Sequence, residues 1–445
     1  MTVTPSAPAP SPSVSPTPLL KRQALILRPD PSRVVMRHFK PNIEPRDLTP
    51  TDSRRVSHIV ERVLALDPQA ARRQLEEVLE NFEGRHRCLP ATFETRADAI
   101  EVGHSVHAPL TQVQRQLIGA CFLHEYSFEA AALFNPSIVA HPDQTAVPSG
   151  ARRIILSLRA VGEGHLSSIT FRTGVLAADG TVAIDPTARL ASIPTLHRVI
   201  SGSHSDCIEV TFEHDGDISE RVLFPVTAAQ SNGIEDARFV EFNDDGVRTY
   251  YATYTAYNGR AIRSELLATE DFTRFTLTPL AGTAACNKGM ALFPRRVNGR
   301  YAMIGRQDNE NLYLLYSDDL YFWQDGIRLL EPRFPWEFVQ IGNCGAPLEL
   351  DEGWLLLTHG VGPMRQYCIG AALLDKDDPA KVLGRLSEPL LRPEHSAREG
   401  YVPNVVYTCG AMRQGGRIVM PFAICDTFSI FGTIEISALL RAMVS

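Results

Sequence analysis

The sequence predicts a mainly β fold, a five-bladed β-propeller with an N-terminal helical extension, and three observations point to it. From Phe134 onward, short apolar runs rich in Val, Ile, Leu and Tyr alternate with Gly, Asn and Asp turns, the pattern of strands and their connections. Within that region a unit of strand, turn, strand and polar turn recurs. Arg248-Thr-Tyr-Tyr-Ala-Thr-Tyr precedes Leu266-Leu-Ala-Thr-Glu-Asp-Phe-Thr-Arg-Phe, and Gly299-Arg-Tyr-Ala-Met-Ile precedes Leu314-Leu-Tyr-Ser-Asp-Asp-Leu-Tyr-Phe-Trp. A looser copy runs from Gly353-Trp-Leu-Leu-Leu-Thr to Cys368-Ile-Gly-Ala-Ala-Leu-Leu-Asp, with fainter ones at Arg152–Phe171 and Gly416–Ile436. A recurrence near about fifty residues, with several strands per unit, marks propeller blades. The third observation is helical spacing before Phe134. An irregular β-sandwich is the competing fold.

Taken in order, residues 1–20 form a Pro/Ser/Ala-rich tail expected to be disordered. Residues 21–133 are assigned to the helical extension. Val56, Ile59, Val60, Val63 and Leu64 fall at helical spacing, as do Leu75, Val78, Leu79 and Phe82. Pro68 after Asp67 marks a fresh helix start, and a further helix is expected from Thr111 to Leu133. Residues 134–445 form the catalytic propeller. Within them, Thr187 to Val226 reads as an insertion with no assigned blade.

Composition excludes several classes. Apolar residues are 44% and charged residues 21% of the 445, as in ordinary globular chains. A net charge of −7 argues against a broad nucleic-acid footprint. There is no apolar run of membrane-spanning length and no secretory leader pattern. The 8 cysteines are scattered without CxxC pairs, which predicts reduced thiols in a cytoplasmic protein and no metal site.

Five polar clusters sit inside or just after apolar strands. Gly233-Ile-Glu-Asp-Ala-Arg238 places two carboxylates and an arginine before the strand Phe239-Val-Glu-Phe. Adjacent strand residues face opposite ways, so only one of Glu235 and Asp236 is expected to face the propeller axis. A carboxylic acid in a partly dry pocket can serve as a general acid. The other clusters are Cys286-Asn-Lys-Gly-Met-Ala-Leu-Phe-Pro294, Gly305-Arg-Gln-Asp308, Thr358-His-Gly-Val361, and Asn258-Gly-Arg260 with Arg263. Each alone reads equally as a turn. Together they set cations and a histidine at corresponding places in successive units, which makes an anion site. One acid beside an oxyanion pocket suits phosphorolysis, whereas an inverting hydrolase needs a second carboxylate to activate water.

These clusters resemble glycoside hydrolase family 130, the β-mannoside phosphorylases and related β-mannosidases. The matching stretches are Gly233–Arg238, Tyr254-Thr-Ala-Tyr257, Asn287–Pro294, Trp336 to Pro347, Gly353–Val361, Gly370-Ala-Ala-Leu-Leu-Asp375 and Val402-Pro-Asn-Val-Val-Tyr-Thr-Cys-Gly410. The resemblance spans residues 134–440 and implies a five-bladed propeller. It implies Asp236 as general acid, acting through a hydroxyl of the mannosyl ring. It implies a phosphate pocket of Arg260 or Arg263, Lys288, Arg306 and His359. Asn135, Arg159, Asp308 and Asp426 are implied to bind mannose, with Tyr313 and Glu399 at the rim. Ala237 departs from the family's proline and loosens the backbone there.

The implied reaction joins a β-mannoside oligosaccharide and inorganic phosphate, reversibly, to give α-mannose 1-phosphate and the shortened sugar. It needs no metal and no cofactor beyond phosphate as co-substrate. A β-mannosidase, with Glu310 or Glu349 as base, and a non-catalytic sugar-binding propeller are the competing functions. No nucleic-acid or membrane partner is expected, and the helical extension points to a homo-oligomer.

Overall fold

The computed structural model describes residues 18–39, 53–104, 109–198, 207–394 and 398–444. The predicted disordered tail lies outside the described residues as far as residue 17.

The chain is mainly β, grouped in sheets of five, eleven, four, five and two strands, and among the described residues no sheet closes on itself. The alternation of turn residues and apolar runs yields antiparallel meanders. The eleven-stranded sheet is two meanders in sequence. Ala132–Ala140, Arg152–Val161 and Ser167–Leu176 form the first; Gly233–Asp244, Val247–Tyr257, Ile262–Thr269 and Arg274–Pro279 form the second. A single parallel pair, Gly233 with Ser167, joins them. The third meander runs Ala291–Leu292, Tyr301–Gly305, Leu312–Ser317, Gly326–Leu330. The fourth orders Gln340–Asn343, Trp354–Val361, Tyr367–Leu374, Val382–Arg385, and the fifth is built on Val406–Tyr407, Arg417–Ile424 and Phe428–Glu435.

Each strand's inward set packs against the next meander. Phe171 meets Phe239 and Phe272; Phe242 and Leu266 share a cluster with Met303, Leu315 and Trp323. Ile304 and Leu314 pack with Trp354 and Leu356, and Leu355 and Ile369 with Ile418 and Phe422. Ile154 and Leu156 then pack with Val419 and Phe431, so the fifth meander returns to the first.

The N-terminal region corrects the sequence reading. Residues 21–133 are not wholly helical: Leu20–Leu27 is a strand that pairs with Phe428–Glu435 at the edge of the fifth meander. Its alternating burial shows the period-two pattern that a search for helical spacing passes over. Helices occupy Ser53–Leu64, Pro68–Phe82, Leu89–His104 and Gln112–Cys121 around their own core of Val60, Leu75, Phe93, Ile100, Leu117 and Phe122. The start at Pro68 is real, with Asp67 accepting from the Gln69 and Ala70 amides. The last helix stops at Cys121 rather than continuing to Leu133, because Leu123–Ser127 pairs with Val34–His38 and Ala132–Ala140 opens the first meander. The helices are thus inserted between two paired strands.

Arg33, just before Val34, is clamped against the first meander. Glu129, fully buried, accepts from Arg33 and, at 2.7 Å, from Arg172. The insertion at Thr187–Val226 also finds its place: Ile208–Thr211 and Thr195–Arg198 extend the second meander beyond Arg274–Pro279. Among the described residues, no helix is long and apolar enough to cross a membrane.

Candidate active site

The first and second strands of the meanders, with the turns beside them, converge on one cavity of about 190 Å³. The first meander sends Asn135 and Arg159, the second Glu235, Asp236 and Arg238, and the third Lys288 and Arg306. The fourth contributes Asn343 and His359, and the fifth Tyr407 and Asp426.

Local backbone irregularity aims the carboxylate. The ladder between Gly233–Asp244 and its neighbour slips between Glu235 and Arg238, and Asp236 sits at φ 54. The matching slip in Ala132–Ala140 falls between Phe134 and Ser137, with Asn135 at φ 48. Asp426 also has a positive φ, 48, in the turn after Arg417–Ile424. Asn and Asp tolerate this left-handed region better than other side-chain-bearing residues. Such bulges re-aim side chains beside active sites. Here one of them overturns an expectation. Both Glu235 and Asp236 reach the cavity, since the bulge breaks the strict alternation of a regular strand. Arg159 bridges them, with Nη2 donating to Glu235 Oε1 at 2.9 Å and Nη1 to Asp236 Oδ1 at 3.3 Å.

Asp236 Oδ1 also accepts from Asn135 Nδ2 at 2.8 Å. Burial pushes its carboxyl up, but Arg159, Arg238, the Asn135 hydrogen bond and Lys288 outweigh burial and hold it below the usual carboxylate range. Lys288 pairs with Glu235. Arg238 Nη2 donates to Tyr407 Oη at 2.7 Å. The His359 ring lies 4.8 Å from that of Tyr407, centroid to centroid, and stacks at 6.0 Å on Tyr367. Gly342 makes room for it, because a Cβ there would come within 2.3 Å of the imidazole. Burial first, then the charges of Arg306 and Arg238, push the imidazole well below its usual range, so it stays neutral. Asp426 behaves oppositely to Asp236. Burial, then the Asp236 charge, raise it to about 7 against Arg159 and Arg365.

Several polar atoms here are buried without a protein partner: Arg238 Nε, Arg306 Nε, Asn343 Oδ1, Asn135 Oδ1 and Asp426 Oδ1. Buried polar atoms are almost always hydrogen-bonded, so such a cluster lining one cavity marks a ligand site. Arg306 has no carboxylate ion pair among the described residues, and Arg238 stands near it. Cations and a neutral imidazole therefore gather around a buried carboxylate. That pattern accepts an anion beside a proton-transferring group.

Of the residues singled out in the sequence, Asn135, Arg159, Asp236, Lys288, Arg306, His359 and Asp426 line this cavity, while Arg260, Arg263, Asp308, Tyr313 and Glu399 do not. Arg260 lies exposed in the turn after the second strand of its meander, and Arg263 lies on the third strand, bonding Glu265 through Nε at 2.8 Å. Asp308 is consumed by its own turn, accepting from the Glu310 and Asn311 amides at 2.9 and 2.8 Å and from the Tyr313 hydroxyl at 2.8 Å. Those bonds bring its carboxyl down to about 2 against burial. Glu399 is exposed.

Sequence reading passed over Glu235, Arg238, Gln340, Asn343, Arg365, Tyr367 and Tyr407 as site residues. Arg238 and Asn343 carried a signal, each being polar at the inner edge of an apolar run within a matching stretch. Arg365 carried none. Among the described residues, no His, Cys, Asp and Glu side chains gather as a metal-ligand set.

The family model described as β-1,4-mannooligosaccharide phosphorylase, of glycoside hydrolase family 130, matches residues 199–444. The chain is 33% identical over 214 residues to a 1,2-β-oligomannan phosphorylase of Thermoanaerobacter sp. (strain X514), covering 47% of this chain and 71% of that one. It is 32% identical over 229 residues to a β-1,2-mannobiose phosphorylase of Listeria innocua, covering 50% and 63%. In fold it is similar to the Listeria innocua β-1,2-mannobiose phosphorylase solved with β-1,2-mannobiose, at a TM-score of 0.52 and 22% identity over 70% of this chain and 92% of that one.

Proposed function

The chain belongs to glycoside hydrolase family 130, and from that premise we propose that it is an inverting β-mannoside phosphorylase. A phosphate oxygen bonds to the anomeric carbon as the glycosidic C–O bond breaks. The departing sugar oxygen takes a proton, and the products are α-mannose 1-phosphate and the shortened sugar. The observation that carries this reading is the set of cations, Arg238, Arg306 and Lys288, facing the same cavity as Asp236. Phosphate is already an anionic nucleophile, so the protein's task is to hold it in place and compensate its charge.

In this reading Arg238, Lys288, Arg306 and His359 bind phosphate, with neutral His359 donating or accepting one hydrogen bond. Asn135, Arg159 and Asp426 bind the mannosyl ring around Asp236. The cations that hold the Asp236 carboxyl down are the ones that would bind phosphate, which fits an acid loaded by its co-substrate. Phosphate neutralises the cations that hold the carboxyl down, so it rises toward the range a proton donor needs. The successive packing of meanders, with the fifth returned to the first, supports reading the fold as a five-bladed propeller with the cavity toward its axis. The 8 cysteines, none in a disulfide, suit a cytoplasmic setting, and a homo-oligomer is the assembly to test by light scattering.

A β-mannosidase is the second reading, and Asp426 favours it. It is a further carboxyl in the cavity, and a pKa of about 7 suits a base that activates water. Glu310 and Glu349 lie outside the cavity, and Glu349 is bonded to Arg295 at 2.9 Å. The deciding experiment incubates the protein with β-linked mannobiosides and mannosyl-glucosides, with and without phosphate. The proposal expects mannose 1-phosphate only when phosphate is present. Free mannose at equal rates without phosphate makes the protein a hydrolase.

A further inference from the structure

Glu235 has no part in the chemistry above, yet it is bonded to one residue from each half of the site. Its two oxygens are divided between them. Oε1 accepts from Arg159 Nη2 at 2.9 Å, on the side given to the mannosyl ring, and Oε2 is paired with Lys288, on the side given to phosphate. The residue is only 8% exposed, so its charge depends on these two cations rather than on water. Arg159 carries the connection one step further, since its Nη1 donates to Asp236 Oδ1 at 3.3 Å. Lys288, Glu235, Arg159 and Asp236 thus form one chain of alternating charge across the cavity.

The two partners of Glu235 differ in freedom. The Arg159 guanidinium is confined, lying 5.1 Å from the centroid of the Phe134 ring with both Nη atoms bonded. Around Lys288 it is the backbone that is fixed. Asn287 accepts from Ser264 Oγ at 2.8 Å and donates through Nδ2 to the Gln307 carbonyl at 2.7 Å. On the other side, a Cβ at Gly289 would stand 3.8 Å from both Arg238 Nη2 and Asn343 Oδ1, so the loop runs beside the cations of the phosphate pocket. The Lys288 side chain itself keeps 39% of its surface exposed, against 10% for Glu235 and 17% for Arg159. An ammonium with three donors on a flexible four-carbon stem is the member of this chain that can turn to a new acceptor.

We propose that Glu235 is a positioning residue that holds Lys288 until phosphate displaces it, and that relays the displacement through Arg159 to Asp236. This rests on reading the cations of the cavity as a phosphate site. An anion arriving at Arg238 and Arg306 meets a lysine already neutralised, with a carboxylate charge behind it. Full binding requires Lys288 to exchange that carboxylate for a phosphate oxygen. The buried Glu235 charge then rests on Arg159 alone and draws its guanidinium closer. The bond from Arg159 to Asp236, at 3.3 Å against 2.9 Å to Glu235, is the longer arm of the fork and the one that loosens. Phosphate binding thereby weakens the hold on Asp236 from the sugar side as well as from its own.

The test titrates inorganic phosphate calorimetrically into wild type, Glu235→Gln, Lys288→Ala and the double variant, with initial rates of phosphorolysis and a melting curve on each preparation. Glutamine keeps the shape and still accepts from Arg159, but offers Lys288 no charge. Glu235→Gln is expected to tighten phosphate about 10-fold, the lower end of one charge-assisted hydrogen bond, and to lower kcat about 10-fold because Arg159 keeps its grip on Asp236. A merely structural role would instead raise KM for phosphate as kcat fell. In the Lys288→Ala background the same substitution is expected to gain less than about 3-fold, since no lysine is left to release. Phosphate affinity unchanged or weakened in Glu235→Gln overturns the proposal. So does an equal gain with and without Lys288, which makes Glu235 a bare repulsive charge. If Glu235→Gln does not fold, Glu235→Asp, which keeps the charge but is one methylene shorter, replaces it and is expected to tighten phosphate likewise. Failure of wild type and every variant to bind phosphate overturns the phosphate site itself, whereas binding without the shift overturns only the exchange.

Discussion

Replacing Arg306 with alanine should separate stability from function. The guanidinium is buried without a carboxylate ion pair among the described residues, and burial together with the like charge of Arg238 holds it below its usual range. Keeping such a charge buried is unfavourable to folding, by roughly several kcal/mol for an unpaired ion even after relaxation. Arg306→Ala removes that penalty and leaves a polar cavity that water can fill. The phosphate-free variant should therefore melt at or above the wild-type temperature. Function moves the other way. A charge-assisted bond to an anion that tightens in the transition state contributes about 2–4 kcal/mol, so kcat/KM for phosphate should fall by about 30- to 1,000-fold. Ligand linkage supplies a second readout. Phosphate at about 100 times its Kd stabilises the wild type by about 2.7 kcal/mol, and most of that increment should vanish in the variant. Thermal melts with and without phosphate, plus initial rates across phosphate concentration, measure both. A variant that melts well below wild type without phosphate, yet keeps its kcat/KM for phosphate, would refute the reasoning.

Asp236→Asn should lower kcat by about 10³-fold or more while the fold survives, because Arg159 retains Glu235 at 2.9 Å as counter-charge; rates and a melting curve on one preparation check this. Asp426 makes stability depend on pH. Its folded pKa of about 7 lies above the ordinary aspartate value, so its contribution is complete below about pH 4 and is lost as pH rises through about 7. Asp426→Asn should therefore show a smaller fall in melting temperature than wild type between pH 5 and pH 8. Glu129→Gln leaves Arg33 and Arg172 buried beside a neutral group, and chemical denaturation should report a loss of about 3–5 kcal/mol with kcat little changed in the folded fraction.

How far the sequence reached is visible residue by residue. Repeating strand pairs and turn residues made the mainly β architecture legible, because side-chain periodicity and turn chemistry are local properties. The polar residues at the ends of first and second strands were legible for the same reason: Lys288, Arg306 and His359 each interrupt an apolar run. Asp236 and Arg238 stood in one short motif, although only Asp236 was given a role. Helical spacing found the helices at Ser53–Leu64 and Pro68–Phe82, where apolar residues repeat at that period. It passed over Leu89–His104, whose buried Phe93, Ala97 and Ile100 are separated by polar and small residues.

Tertiary structure decided the rest, since it depends on partners remote in sequence. Leu20–Leu27 is a strand because Phe428–Glu435 offers it a free edge. Glu235 faces the cavity because a bulge at Asp236 cancels the alternation that local geometry demands. Arg260 and Arg263 are excluded because Arg260 lies exposed in its turn and Arg263 is bonded to Glu265, placements that a pattern of charges along the chain does not encode. Asp308 looked like a ligand and proved to be a turn cap, since its acceptors are filled by Glu310, Asn311 and Tyr313, all within five residues of itself. The sequence by itself determined which chemistry was available: carboxylates, cations and an imidazole set at strand ends in a β repeat. Only the folded chain decided which of these groups share one desolvated cavity. That selection follows from strand order and ladder slips, and within the one cavity the cations around Asp236 hold its carboxyl down while burial beside the Asp236 charge raises Asp426 to about 7.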